Sequence, residues 1–356
     1  MSKNVLITGV SGMDGSLMAD YLIENTDHFV VGAIRRLSVS NHKNIGHLKD
    51  HPRFRLIDLD VTDPINVEQV VREENPDYFI NFAANSFVGN SWDMPANHMT
   101  TNCMAVLYEL EAIRKFVPNC RYYNAGSSEE WGNVSYSPQD EEHPLKPRSP
   151  YGASKVAARM LVKVYRESYS LFAIQGHLLN HEGIRRGEEF VSRKISLNVA
   201  RIKKNLDAKN FDFQPLELGN LEATRDWSDA ECFMSGIWSM LNNKEPVEYV
   251  LSSNETHSIR EFVELAFEAA GIKGIWHNFS GKPEDEELLL ADDSGRIATK
   301  RKITLVAINS KFYRPCEVQT LWGNSNKARK ELNWNPKTDF KSLVSKMVKW
   351  DIKESS

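Results

Sequence analysis

The chain has 356 residues, enough to bury a full core in one large domain or two interlocked ones. Hydrophobic and charged fractions of 41% and 26% are those of an ordinary globular protein, and the formal net charge of −4 speaks against nucleic acid or an anionic membrane as partner. Cys103, Cys120, Cys232 and Cys316 lie too far apart for a zinc site or a disulfide framework, and no apolar stretch reaches the roughly 18 residues of a membrane span.

No signal peptide is read at the N-terminus, so the cytosol is the expected address. The short basic runs Lys203-Lys204 and Lys300-Arg301-Lys302 are read as solvated surface.

Through the first half, short β-rich runs alternate with helix-like stretches. The runs are Val5 to Thr8, Phe29 to Ile34, Phe54 to Ile57, Tyr78 to Phe82, Arg121 to Ala125 and Ala173 to Leu178. Helical spacing marks Leu17 to Glu24 and Ala105 to Phe116. Strands separated by helices of this length imply right-handed crossovers and a parallel sheet covered on both faces. Beyond residue 180 the pattern loosens, with charged stretches such as Lys282 to Lys302 between helical segments at Ile259 to Ala270 and Phe340 to Ile352. A smaller second domain that closes over a ligand is expected there.

The first strand runs into Thr8-Gly9-Val10-Ser11-Gly12-Met13-Asp14-Gly15, and a helix starts at once. In this context Gly9, Gly12 and Gly15 supply a tight turn, room for a pyrophosphate against the backbone, and close strand–helix contact. The helix N-terminus then faces the phosphates with free N–H groups. At the end of the second strand stand Arg35 and Arg36 and no acid. An acid would accept from a ribose 2′-hydroxyl, whereas two arginines suit a 2′-phosphate, so NADP is favoured over NAD.

Tyr151-Gly152-Ala153-Ser154-Lys155 places a phenol and an ammonium four apart, on one helical face. The ammonium favours the phenolate, which can then act as a base near neutrality. Tyr-x-x-x-Lys alone is a weak signal; after a glycine loop, a run of parallel strands and Ser127-Ser128-Glu129, it is a specific one.

This combination resembles the extended short-chain dehydrogenase/reductase family over nearly the whole chain. The resemblance implies a Rossmann-type doubly wound parallel sheet with a smaller C-terminal α/β substrate-binding domain. Residues 1–178, with a returning segment near 225–255, would form the NADP-binding domain; 179–224 and 256–356 would bind a nucleotide sugar. Within the family, a carboxylate at Glu129 suits a 4,6-dehydratase, which needs a second base at carbon 5; the neighbouring Glu130 is the competing assignment.

Further stretches are similar to the GDP-mannose 4,6-dehydratases in particular: Asn180-His181-Glu182 with Arg185-Arg186-Gly187, Phe190 to Ser196, Leu218-Gly219-Asn220-Leu221 with Arg225-Asp226-Trp227, and Tyr313-Arg314-Pro315 with Glu317. By that resemblance Met13, Asp14, Asp60, Val61, Phe82, Ala83, Ala84, Ser86, Tyr151, Lys155, His181 and Arg186 join the glycines and the arginine pair around NADP. Ser86, Ser127, Asn180, Val191, Lys194, Arg225 and Arg314 would hold the sugar nucleotide, and Glu317 its guanosine end. Ser127, Glu129, Tyr151 and Lys155 would be catalytic. No metal is expected, because Arg185 stands where a His-Glu-x-x-His motif needs its second histidine. The family also implies a homo-oligomer, a dimer or tetramer.

The chain departs from the family pattern at several points. Ser127 replaces a threonine, Trp131 a tyrosine, Asn97 a tyrosine near NADP, and Ala84-Asn85-Ser86-Phe87-Val88 a stretch with glutamine or methionine and histidine. Extra residues lie around Asn205 to Asn210. These leave open which GDP-sugar is the substrate. Two other readings also stay open: an epimerase or 4-reductase on a nucleotide sugar, and a non-catalytic nucleotide-sensing module.

Overall fold

The computed structural model describes residues 2–39, 41–278, 280–298, 302–313, 318 and 320–355. Its first half builds β1 (Asn4–Thr8), α1 (Met13–Asn25), β2 (Phe29–Ile34), β3 (Phe54–Asp58), α2 (Pro64–Glu74) and β4 (Tyr78–Asn81). There follow α3 (Pro95–Met99), a π turn at Thr100–Met104, α4 (Ala105–Phe116), β5 (Arg121–Ala125), α5 (Pro150–Tyr169) and β6 (Ala173–Leu178). The six strands pair in parallel in the order β6-β5-β4-β1-β2-β3, and Val250–Leu251 adds a seventh strand beside β6.

The pattern of side chains explains the layers. Successive strand residues point to opposite faces. Val5 and Ile7 of β1 with Ile80, Tyr123 and Ile174 meet α1 and the helix Ala230–Leu241 on one face. Leu6, Phe79, Tyr122 and Ala173 meet α2, α4 and α5 on the other. With both faces covered, β4 and β6 are buried at every position, which is why they read as unbroken runs. The strand order reverses between β1 and β4, the place where a doubly wound sheet opens a crevice at its strand C-termini.

The helix starts differ in a way that matters. Asp63 caps α2, accepting from the Ile65 N–H at 2.9 Å, and Pro64 takes the first helical position. Helix α1 starts after Gly12, which has no side chain to offer, so no side-chain cap occupies its first N–H groups.

By compactness the chain divides into two units, one of residues Met1–His181, Ala230–Glu255 and Leu321–Lys337, the other of Glu182–Asp229, Thr256–Thr320 and Thr338–Ser356. Leu321–Lys337, placed in the second domain by sequence reading, packs with the first unit. There Trp334 joins the core face that holds Phe233, donating from Nε1 to the Cys232 carbonyl at 2.9 Å. In the second unit, helices Val191–Asp207, Ile259–Ala269 and Phe340–Ser355 share a core with a mixed sheet, in the order Gly274–Asn278, Glu286–Leu290, Thr304–Ile308 and Leu216–Leu218. Arg193 and Asp351 pair at 2.5 Å within it, and removal of either leaves a buried charge. Among the described residues no helix is long and apolar enough to cross a membrane.

One buried acid gives the fold a pH dependence. Glu109 of α4 is fully buried, accepts from the Tyr122 hydroxyl at 2.6 Å, and burial pushes its carboxyl up to about 8 despite that bond and the Lys155 charge. The native chain therefore holds a proton that the unfolded chain gives up above about pH 4.3. The stability linked to it is full below that value and is lost as pH rises through about 8. The melting temperature of Glu109→Gln should fall less between about pH 5 and 8 than that of the parent protein. Parallel slopes in a thermal-melt series would remove Glu109 as the linked group.

Candidate active site

The turn after β1 is shaped by what its neighbours allow. Gly9 has φ +66°, and a Cβ there would lie 2.8 Å from the Ala83 nitrogen and the Phe82 carbonyl carbon. A Cβ at Gly15 would lie 2.7 Å from the Val10 Cα, so α1 presses directly on the turn. Gly12 donates its N–H to the Gly9 carbonyl at 3.0 Å. The result is a bare cradle at the positive end of α1, suited to an anion. Met13, the first residue of α1, is buried in the core.

His181 braces this cradle. Its Nδ1 lies 2.7 Å from the Leu179 carbonyl, which only accepts, so Nδ1 carries a proton. Its Nε2 lies 3.1 Å from Asp14 Oδ2 in the first turn of α1, and its ring stacks on Phe233 at 4.7 Å. At the far end of β2, Arg35 and Arg36 are both exposed. Asp60, past β3, accepts from the Thr62 hydroxyl at 2.7 Å. That bond, with the Thr62 N–H and the Arg35 charge, holds its carboxyl below the ordinary carboxylate range against the effect of burial. Val61 beside it is buried.

Phe82 and Ala83 press on Gly9, and Ala83 N–H donates to Asn81 Oδ1 at 3.1 Å; Ala84 is half-buried and Ser86 is exposed. Two departures from the family pattern, Asn85 and Asn97, hydrogen-bond to each other. Sequence reading missed Asn102. From the π turn it accepts from Asn85 N–H at 2.8 Å, donates to the Asn85 carbonyl at 3.1 Å and donates to Ser154 Oγ at 3.1 Å. It thus joins the loop after β4 to α5. The signal that could have found it is weak: a lone asparagine in an otherwise helical stretch.

Ser149 caps α5 from the Gly152 N–H at 3.0 Å, with Pro150 in the first turn, and this sets the start of the helix that carries Tyr151 and Lys155. Both side chains are buried. Lys155 Nζ lies 6.0 Å from the Tyr151 ring centroid and donates to the Ala125 carbonyl at 2.9 Å. Burial draws its ammonium down to about 8, opposed by the charges of Glu130, Asp14 and Glu109. His98, also absent from the sequence reading, meets the Tyr151 ring edge-on at 6.1 Å.

The two neighbouring glutamates part company in the turn after β5. Glu130 is fully buried, ion-paired with Arg159, and accepts from Ser127 N–H at 2.7 Å and Gln175 Nε2 at 3.0 Å. Glu129 is half-buried, and its carbonyl lies 2.6 Å from where a Cβ at Gly152 would sit, beside Tyr151. Ser127 Oγ accepts from the Glu129 N–H at 3.2 Å. That bond restrains the hydroxyl that lacks a threonine's methyl. Glu130 is therefore fixed as a structural anchor, while the turn sets the Glu129 backbone carbonyl against Gly152, the residue after Tyr151.

Asn180 is half-buried just past β6. In the second unit Arg186 lies over the Phe190 ring at 3.6 Å and pairs with Glu182 at 3.0 Å, and Ser192 donates to the same glutamate at 2.5 Å. Glu182 is thereby occupied, and among the described residues no cluster suits a metal ion. Val191 opens its helix, and Lys194, one turn on, rests 3.4 Å from the Phe312 ring centroid, its ammonium lowered by burial. Arg225 is buried and donates to the Thr224 carbonyl at 2.8 Å. Arg314 and Glu317 lie outside the described residues, as do Lys300 and Arg301.

Residues 6–347 match the family described as GDP-mannose 4,6 dehydratase. The GDP-mannose 4,6 dehydratase of Drosophila melanogaster is 40% identical over 98% of this chain and 86% of its own length. That of Homo sapiens is 38% identical over 98% and 92%, and the Vibrio cholerae serotype O1 enzyme is 36% identical over 100% and 95%. Among solved structures, dTDP-glucose 4,6-dehydratase of Bacillus anthracis superposes with TM-score 0.78 at 21% identity, covering 99% of this chain and 98% of that one. UDP-glucose 4-epimerase of Thermotoga maritima does so with TM-score 0.79 at 19% identity, covering 99% and 100%. The structures share the fold; the sequence relatives carry the kinship. The chain belongs to the GDP-mannose 4,6-dehydratase family.

Proposed function

We propose that this member of the GDP-mannose 4,6-dehydratase family converts GDP-mannose, or a close GDP-sugar, to the 4-keto-6-deoxy sugar nucleotide and water, as an NADP-dependent hydro-lyase. The observation that carries the reading is the contrast after β5: Glu130 is locked to Arg159, while the backbone of Glu129 packs against Gly152, the neighbour of Tyr151 on the helix that also carries Lys155.

The residues present fit NADP. The Gly9 cradle leaves no room for a Cβ, the uncapped start of α1 offers N–H groups to a pyrophosphate, and Arg35 and Arg36 offer two cations to a 2′-phosphate. His181, through Asp14, holds the first turn of that helix in place. NADP, when bound, supplies the hydride acceptor for carbon 4 and the donor for carbon 6. The protein's part is proton traffic and positioning. Tyr151 takes the proton of the 4-hydroxyl, with Lys155 stabilising the phenolate and Ser127 steering the hydroxyl. The 4-keto group acidifies carbon 5, and Glu129 takes that proton. The 6-hydroxyl leaves as water on one of the two protons now held by Tyr151 and Glu129, and the other proton returns to carbon 5 to complete the 4-keto-6-deoxy product. Arg186, Lys194 and Arg225 are assigned to phosphates of the two nucleotides, with Asn180 on the sugar.

Incubation with NADP⁺ and GDP-mannose should give a product lighter by one water in mass spectrometry; an unchanged mass retires the named substrate. The cofactor choice has its own check. Replacing Arg35 and Arg36 together by serine should weaken NADP⁺ binding by roughly tenfold to a hundredfold, the worth of one or two hydrogen bonds to charged groups, with NAD⁺ affinity kept. Equal losses for both dinucleotides in a fluorescence titration would take the pair away from the 2′-phosphate.

A further inference from the structure

Thr8, Asn81, Asn124 and Gln175 sit directly opposite one another on β1, β4, β5 and β6. All four are buried, and their side chains form one unbroken row. The Thr8 hydroxyl donates to Asn81 Oδ1, Asn81 Nδ2 to Asn124 Oδ1 at 2.9 Å, and Asn124 Nδ2 to Gln175 Oε1 at 2.6 Å. Gln175 Nε2 then donates to Glu130 Oε1 and to the Lys155 carbonyl, both at 3.0 Å.

The direction of the row is forced from both ends. Glu130, paired with Arg159, can only accept, so Gln175 must present its nitrogen there and its oxygen to Asn124. At the other end Ala83 N–H can only donate, so Asn81 must present its oxygen there. Every amide dipole therefore points the same way, and each bond polarises the next.

The ends of the row are functional. Asn81 holds Ala83 against Gly9, in the cradle assigned to the cofactor. Gln175 and Glu130 hold Lys155 and the turn bearing Ser127 and Glu129. We propose that this row of buried amides is a positioning device, with Asn124 and Gln175 setting the distance between the cofactor cradle and the residues that move protons. The proposal rests on the reading of the site given above, because a cofactor anchored in the cradle and a sugar held at Tyr151 would have to meet in register for hydride transfer. An apolar row would satisfy the core equally well but would leave the two ends uncoupled.

The test uses reach. Asn124→Gln adds a methylene and Gln175→Asn removes one, so each single variant mis-spaces the row and the double variant restores its length. Each single variant should lose about tenfold in kcat, a sub-ångström misplacement being enough for that, with the GDP-mannose KM within about twofold. The double variant should return to within about threefold of the parent, a coupling that independent sites do not show. Single variants with full kcat, a double variant carrying both losses, or losses that follow the folded fraction in near-ultraviolet dichroism would each overturn the proposal. A parent protein that leaves GDP-mannose unchanged retires the functional reading instead. Hydrogen exchange of the ligand-free protein then decides the row: the Ala83 amide should exchange faster in each single variant and at the parent rate in the double. Equal rates in all four proteins would end the proposal.

Discussion

Tyr151→Phe should lower kcat by about a hundredfold to ten-thousandfold, the ordinary worth of a positioned proton acceptor, while NADPH affinity stays near that of the parent. The ring fills the same space and keeps its edge contact with His98, so packing at the start of α5 is retained. What is lost is the oxygen alone. Lys155 remains donated to Ala125, but there is no phenolate for its charge to stabilise. Steady-state assay of GDP-mannose turnover, with cofactor titration as the control, separates the outcomes. A variant with more than about a tenth of parent activity would mean that another group takes the 4-hydroxyl proton.

Glu129→Gln should abolish dehydration more selectively. The amide is the same size and keeps the turn, whose geometry depends on Ser127 Oγ and on Glu130 rather than on the Glu129 carboxylate. A glutamine cannot accept a proton, so carbon 5 should acquire no deuterium from heavy water and no water should be lost, a fall of about a hundredfold or more. If the variant still makes its product at the parent rate, the enzyme needs no base at carbon 5, and the epimerase or 4-reductase reading takes over. Glu130→Gln would give a different result, because it breaks a buried ion pair and destabilises the protein.

Much of the central sheet was legible because its strands are buried on both faces and so appear as apolar runs. Tyr78 to Phe82 overshoots β4 by one residue, since Phe82 leaves the ladder where the chain turns over Gly9. The reading of a helix from Leu17 misses the turn of α1 that starts at Met13, because Gly15 interrupts helical spacing for the sake of contact with Val10. The edge strand Val250–Leu251 has too few residues to show any period. The amide row was invisible for another reason. Asn81, Asn124 and Gln175 each look like a lone polar residue in a strand, and their partners lie 43 and 51 residues apart along the chain. Only the register of the sheet brings them together. The choice of Glu129 over Glu130 came from chemistry and resemblance; the pairing of Glu130 with Arg159 depends on tertiary contact that no local pattern reveals.

The first compact unit is assembled from three separate stretches, and the last of them, Leu321–Lys337, brings Trp334 to the core. On the ribosome this means that the sheet emerges long before the segment that seals it. At about 5–20 residues per second β6 waits several seconds for its outer neighbour Val250–Leu251, and the apolar face around Phe233 waits on the order of ten seconds after the sheet for Trp334. Late closure of this kind makes the nascent chain a client for chaperones, and truncated products prone to aggregate, whatever the stability of the finished enzyme.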